Sequence, residues 1–187
     1  SRAWGVWPSE GPRGDTLAQV LQSTGTELYT TDSGLLGIRF IEDDADADVA
    51  FAWKRHIVTI NWRSGPESVE RPNRLRLKYY SPARRYEMAE IELSGKDWAN
   101  VEDEVARVGD QFLDIDLPFC PSASQAQRIA RRLFATARAE RGQVVLNMSG
   151  MAAWGCKVID LQNEDLNTTW RARISPPRCN DGEGRVE

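Results

Sequence analysis

Hydrophobic positions in this chain switch between a period near 3.6 and a period of 2, and the switches divide it into elements. The clearest stretch runs from Ser122 to Leu161. Ala126, Ile129, Ala130, Leu133, Phe134 and Ala137 fall at i, i+3, i+4, i+7, i+8 and i+11, one apolar stripe on a helix predicted over 124–141. Ser124 and Gln127 stand in capping-box spacing at its start. Gly142 follows its last turn, where a left-handed residue would end the helix. Two β-rich runs, QVVLNMS and CKVIDLQ, come next with GMAAWG between them, so the helix is expected to feed a β-hairpin.

Upstream, Asp15 can cap a short helix carrying Leu17, Val20 and Leu21, with Gly25 as its stop. The runs TELYTT and LLGIRFIE, joined by Asp32–Gly34, predict a hairpin, and HIVTINW predicts a further strand. The stretch RSGPESVERP has turn chemistry and marks a boundary. Beyond it NRLRLKYYSP alternates Leu75, Leu77 and Tyr79 against Arg74, Arg76 and Lys78, a half-buried strand with a basic outer face. YEMAEIELSG and QFLDIDLPF repeat the alternation, the latter burying Leu113, Ile115 and Leu117, while residues 98–109 suit either a loop or a short helix. TTWRARIS supplies a last strand. The division expected from these patterns is a small α+β domain over 1–64, a linker over 65–72, a strand-rich domain over 73–175 and a flexible tail over 176–187.

Composition narrows the function classes. The chain has 187 residues, 41% of them apolar, with seven tryptophans to build a core, and 28% charged residues to solvate its surface. A net charge of -4 argues against a dedicated nucleic-acid-binding module. No run approaches the roughly 18 apolar residues of a membrane span. There is no signal-peptide pattern, and the first residue is Ser1, as expected of a processed product or the ordered part of something longer. Cys120, Cys156 and Cys179 stand alone without C-x-x-C pairing and read as free thiols.

Each candidate for chemistry meets a simpler explanation. The run Asp43, Asp44, Asp46, Asp48 matches the first three ligand positions of an EF-hand loop from Asp44, but the glycine position is Val49 and the closing glutamate position is Arg55. A solvated acidic turn explains it better than a cation site. His56, the only histidine, has no serine or cysteine obviously placed as its nucleophile and reads as a strand-surface residue. Arg128, Arg131, Arg132, Arg138 and Arg141 could meet phosphate, but arginines opposite an apolar stripe are the ordinary solvated face of a helix. Trp4, Trp7, Trp98 and Trp154 suggest a sugar platform only weakly, since tryptophan is commonly buried. The 28 acidic residues offer too many carboxylate pairs for any one to signal a glycosidase. No catalytic, cofactor-binding or metal-binding residue is assigned.

Three stretches together resemble the central hub, or host-specificity, proteins at the tail tip of long-tailed (siphovirus-like) phages, prophages and gene transfer agents. DTLAQVLQSTGTELYTTDSGLLGIRFIEDD resembles the family's small α+β insertion domain. NRLRLKYYSPARRYEMAEIEL is similar to its strand opening with Asn, followed by a Pro turn and a second strand. SASQAQRIARRLFATARAERGQVVLNMSGMAAWGCKVIDL resembles the helix, strand, turn and strand near the end of the hub's barrel. One departure stands out: the turn that usually reads Pro-Gly-Asp is here Ala153-Trp154-Gly155-Cys156. The resemblance implies an α+β, β-rich fold with a tail-tube-like β-barrel, one packed helix and the insertion domain. It implies a non-enzymatic ring component, a homotrimer made in the bacterial cytoplasm, that continues the tail tube in the virion and supports host attachment and genome ejection. Its partners would be other tail-tip and tube proteins, with the tape measure protein and DNA passing through the lumen. An acidic balance suits that passage, because it repels DNA. A receptor- or carbohydrate-binding module and a cell-wall hydrolase with a carboxylate pair are the alternatives.

Overall fold

A computed structural model describes residues 3, 5, 12–31, 33–41, 46–63, 71–174, 179–180 and 185–186. The fold is α+β and rich in strands. It comprises two compact units, bounded by residues 1–28, 38–41 and 65–139 in one and by 29–37, 42–64 and 140–187 in the other.

In the first unit, β5 (Arg74–Ser81) is the centre of a three-stranded sheet in the order β6-β5-β7. It pairs antiparallel with β6 (Glu87–Ile91) and parallel with β7 (Phe112–Leu117). Alternation puts Leu75, Leu77, Ile115 and Leu117 on one face, where helix α3 (Ala123–Arg138) covers them with Ala126, Ile129, Ala130 and Phe134. A short helix α2 (Glu102–Val108) stands between β6 and β7. Helix α1 (Arg13–Thr24) packs on α3 and β7, and its buried Ser23 carbonyl accepts a hydrogen bond from Gln125 Nε2 at 2.9 Å. Gly25 ends α1 in the left-handed conformation (φ 71°), donating to the carbonyls of Gln22 and Leu21, as the sequence predicts. The hairpin β1 (Thr26–Thr30) and β2 (Leu36–Phe40) follows, with Thr31 N–H and Leu35 C=O bonded at 2.8 Å across its turn.

Parallel strands cannot be joined by a tight turn, so their start must be fixed some other way. Asn73 does this for β5 and β7. Its side-chain amide donates to Gly109 C=O (2.7 Å) and its Oδ1 accepts from Gln111 N–H (2.8 Å). Its backbone N–H donates to Gln111 C=O and its C=O accepts from Val101 N–H, both at 2.9 Å. The residue is fully buried, and these bonds tie 73, 101, 109 and 111 into one knot.

The second unit contains two sheets. One has β4 (Ile57–Arg63), β8 (Arg141–Asn147), β12 (Arg185–Val186) and β11 (Cys179–Asn180) in antiparallel order β11-β12-β8-β4. In the other, β9 (Val158–Asn163) pairs antiparallel with β10 (Thr168–Arg173) and parallel with β3 (Val49–Ala52). Phe51, Ile159 and Leu161 from the second sheet share a core with Ile57, Leu146 and Val186 from the first. The parallel pair is again fixed by a side chain one residue before a strand. Asp48 Oδ2 accepts from the backbone N–H of Lys157 (2.6 Å) and Val158 (3.1 Å), and Asp48 N–H donates to Val158 C=O.

Three expectations need correction. The cap of helix α3 is Ser122, two residues before Ser124: Ser122 is extended and its hydroxyl accepts from Gln125 N–H. The helix ends at Arg138, and Gly142 lies inside β8. There a Cβ would come within 2.8 Å of the Trp62 ring on the neighbouring strand, so this glycine serves a cross-strand approach. The two strands after the helix do not form a hairpin. A 3₁₀ segment over Met148–Ala153 carries the chain from β8 in one sheet to β9 in the other, so the two face each other across a core.

Long-range pairing outweighs closeness in sequence: α1 joins α3, β3 joins β9, and β5–β7 and β8–β10 lie in different units. Among the described residues none of the four sheets closes into a barrel. Most of the expected 65–72 linker and 176–187 tail lies outside the described residues.

Asn73→Ala removes the side-chain hydrogen bonds to Gly109 C=O and from Gln111 N–H at a part-buried site, a loss of about 2 kcal/mol. Urea unfolding of the variant tests this. Asn73→Asp keeps the acceptor but loses the donor and buries a carboxylate, so it should be no more stable than the alanine variant.

Candidate functional site

The candidate chemical residues are dispersed and mostly committed to structure. Asp43 and Asp44 lie outside the described residues. Asp46 is fully exposed beside Arg171, while Asp48 is the acceptor that starts β9. Among the described residues no group of three or more His, Cys, Asp or Glu side chains converges on a metal position. His56 sits in the turn before β4, and its Nδ1 accepts from Ala52 N–H at 3.0 Å. Its carbonyl accepts from Asn147 N–H and its ring meets Phe51 edge-on, so it closes a corner of the core. Burial pushes the Cys120 thiol up, which keeps it protonated and inert. A shallow groove lined by Trp53, Lys54, Arg55, Glu164 and Asp165 is bridged by the Lys54–Asp165 ion pair (2.5 Å).

The basic surfaces are largely neutralised by their neighbours. On the outer face of β6-β5-β7, Lys78 lies between Glu90 and Asp116, and Arg76 lies beside Asp114 while stacking 3.6 Å from the Phe112 ring centroid. Of the arginines expected on the helix, Arg128 and Arg131 are exposed on α3, and Arg141 is exposed at the start of β8. Arg138 instead makes a bidentate pair with Glu104, both bonds 2.8 Å, and donates to Pro72 C=O at 2.6 Å. Trp98 packs on the first core, and Trp4 and Trp7 lie outside the described residues. Trp154 is exposed in the turn where this chain departs from the resembled pattern. That turn is nonetheless intact: Trp154 (φ -64°, ψ 125°) and Gly155 (φ 81°) occupy the central positions of a type II turn, closed by Cys156 N–H on Ala153 C=O. The first central position suits Pro and the second Gly, so Trp154 stands where Pro would.

The most unusual surface is apolar. On hairpin β1–β2, Arg39 and Glu27 pair at 2.7 Å on the inward face, and the Tyr29 ring lies over Gly37. Leu28, Leu36, Ile38 and Phe40 face outward, reversing the usual arrangement. The sequence reading identified the two strands and missed this face, because alternation alone does not say which side is buried. The signal was Glu27 and Arg39, two opposite charges brought together by the turn. A second exposed cluster, Met148, Met151 and Trp154, lies on the 3₁₀ segment and its end.

Residues 15–175 match the Phage-tail_3 family, described as "Putative phage tail protein". The chain belongs to this family. Two solved tail proteins are similar in fold to this one. For the tail protein from Neisseria meningitidis MC58 the TM-score is 0.58 at 8% identity, covering 96% of this chain and 54% of that one. For the 43 kDa tail protein of prophage MuSo2 from Shewanella oneidensis the TM-score is 0.52 at 14% identity, covering 96% and 52%. At these identities the likeness is one of fold, and this tail protein spans about half the length of either. No curated protein matches it. The family implies a virion component, and no helix among the described residues is long and apolar enough to cross a membrane.

The Arg138–Glu104 pair gives the first unit a pH signature. Hydrogen bonds from Arg138 hold the Glu104 carboxyl below the usual carboxylate range. A depressed carboxylate stabilises the fold at pH above its unfolded value, near 4.3, and that stability is lost as pH falls through the folded value. Glu104→Gln should therefore reduce stability at neutral pH and flatten the acid limb of a stability–pH curve. An unchanged acid limb would show that the pair contributes nothing.

Proposed function

We propose that this tail protein is a structural component of the tail tip, a hub subunit that forms a ring continuing the tail tube. In this role it works by assembly and not by catalysis, supports host attachment, and leaves an axial passage for the tape measure protein and DNA. The observation that carries the reading is the family match over 15–175. The fold supports it: two strand-rich units, each with its own core, present outward-facing apolar side chains of the kind found at protein contacts. The tail-tube-like barrel belongs to this proposal at the level of the ring, in which open sheets of neighbouring subunits complete one another. A homotrimer is the proposed ring size. A net charge of -4 suits a lumen that DNA must pass without sticking.

Inactivating the gene in its phage or prophage tests the reading. The expected result is particles with normal heads and tubes but no tip structure, and loss of infectivity. Particles with intact tips and full infectivity would overturn it.

A further inference from the structure

We propose that the groove between the β3–β4 and β9–β10 turns binds a neutral saccharide. The proposal goes beyond the tail-tip reading, which needs no ligand, and concerns the second unit alone. Parallel pairing of β3 with β9 runs as far as Ala52 and Gln162, and Trp53 N–H donates to Gln162 C=O at 2.8 Å. The turns that follow, residues 53–56 and 164–167, therefore lie side by side. They line a groove of about 410 Å³, within the size range of small-ligand sites. Each turn is pinned by a side chain: His56 Nδ1 accepts from Ala52 N–H at 3.0 Å, and Asn163 Oδ1 accepts from Leu166 N–H at 3.2 Å. The site is thus formed before a ligand arrives, which lowers the entropic cost of binding.

The lining selects the ligand. Trp53 is half-buried, packed on the second core, and its remaining surface gives the groove an apolar wall on which the C–H face of a sugar ring can stack. Beside it stand two cations, Lys54 and Arg55, and two carboxylates, Glu164 and Asp165. Their charges cancel, so the groove favours neither an anion nor a cation. Together they offer donors and acceptors in equal measure, the pattern that hydroxyl groups satisfy. The backbone points the same way. Four non-glycine residues among the described residues have positive φ, and two of them, Lys54 (63°) and Asn167 (46°), sit on these two turns. Asparagine adopts that conformation readily, but for lysine it is strained, and strain of this kind collects at ligand sites. Lys54 Nζ stands 2.5 Å from Asp165 Oδ2, and both side chains stay more than half exposed (70% and 55%), with bonding capacity left for a ligand.

Titrating the protein with glucose, galactose, mannose and N-acetylglucosamine, followed by ligand-observed NMR, tests the site. At least one sugar should bind in the millimolar range, and neither inorganic phosphate nor tetramethylammonium should displace it. Asp165→Asn should weaken binding about tenfold, the effect of one lost charge-assisted hydrogen bond. Lys54→Gly should weaken it by a similar factor without loss of stability in urea, because glycine accepts φ 63° unstrained. A residue with only a structural duty would leave sugar binding unchanged. No binding of any of the four sugars, displacement by phosphate or tetramethylammonium, or unchanged binding in either variant would overturn the proposal. None of these results bears on the tail reading, which the virion phenotype of the gene decides.

Discussion

The parallel strand pairs are the constraint on which both units depend, and each is set by one Asx side chain. Asn73 stands one residue before β5 and binds the backbone where β7 begins. Asp48 stands one residue before β3 and binds the backbone where β9 begins. A parallel pair must be closed by a long crossover, which leaves its register to be fixed by contacts and not by a turn. A one-residue slip would turn Leu75 and Leu77 away from α3, or Ile159 and Leu161 away from β4 and β8. Short polar side chains with one carbonyl-like oxygen prevent that slip at low entropic cost. Asn73 is the stricter of the two because it is fully buried and uses both ends of its amide.

These anchors explain why the units interleave in sequence. Each three-stranded sheet has a central strand with an antiparallel hairpin partner on one side and a parallel partner on the other. The parallel partner comes from a distant part of the chain in the second unit, β3 with β9, and from beyond α2 in the first. Segments near each other in sequence therefore end in different cores. The connection over Met148–Ala153 adds to this by moving the chain between sheets, and in doing so lifts Met148, Met151 and Trp154 out of the core. Topology and exposed surface thus have a common origin.

Much of this was legible in the sequence. The period-2 runs located β5, β6, β7 and β10 and named Leu75, Leu77, Ile115 and Leu117 as buried, because a sheet with one covered face imposes that alternation. The stripe on α3 and the stop at Gly25 were equally plain. Three things were not legible. Gly142 sat where a helix cap is expected, and only the partner strand reveals that it makes room for Trp62. QVVLNMS and CKVIDLQ looked like a hairpin because strand signals do not carry the identity of the partner. The hairpin's polarity was hidden because its inward face is held by an ion pair, and hydrophobic patterning always assigns charge to the outside. As for chemistry, Asp48, His56 and Arg138 drew attention as ligating or reactive groups, and the structure gives all three backbone or ion-pair duties.

As proposed, this chain acts as an assembled part of the tail tip, and a three-dimensional reconstruction of the intact particle decides it. The expected result is a ring of this fold around the tail axis at the tip, with copies touching through apolar surface and an open, non-basic channel at the centre. Density for the fold elsewhere in the particle, or a tip ring with a strongly basic lumen, would contradict it.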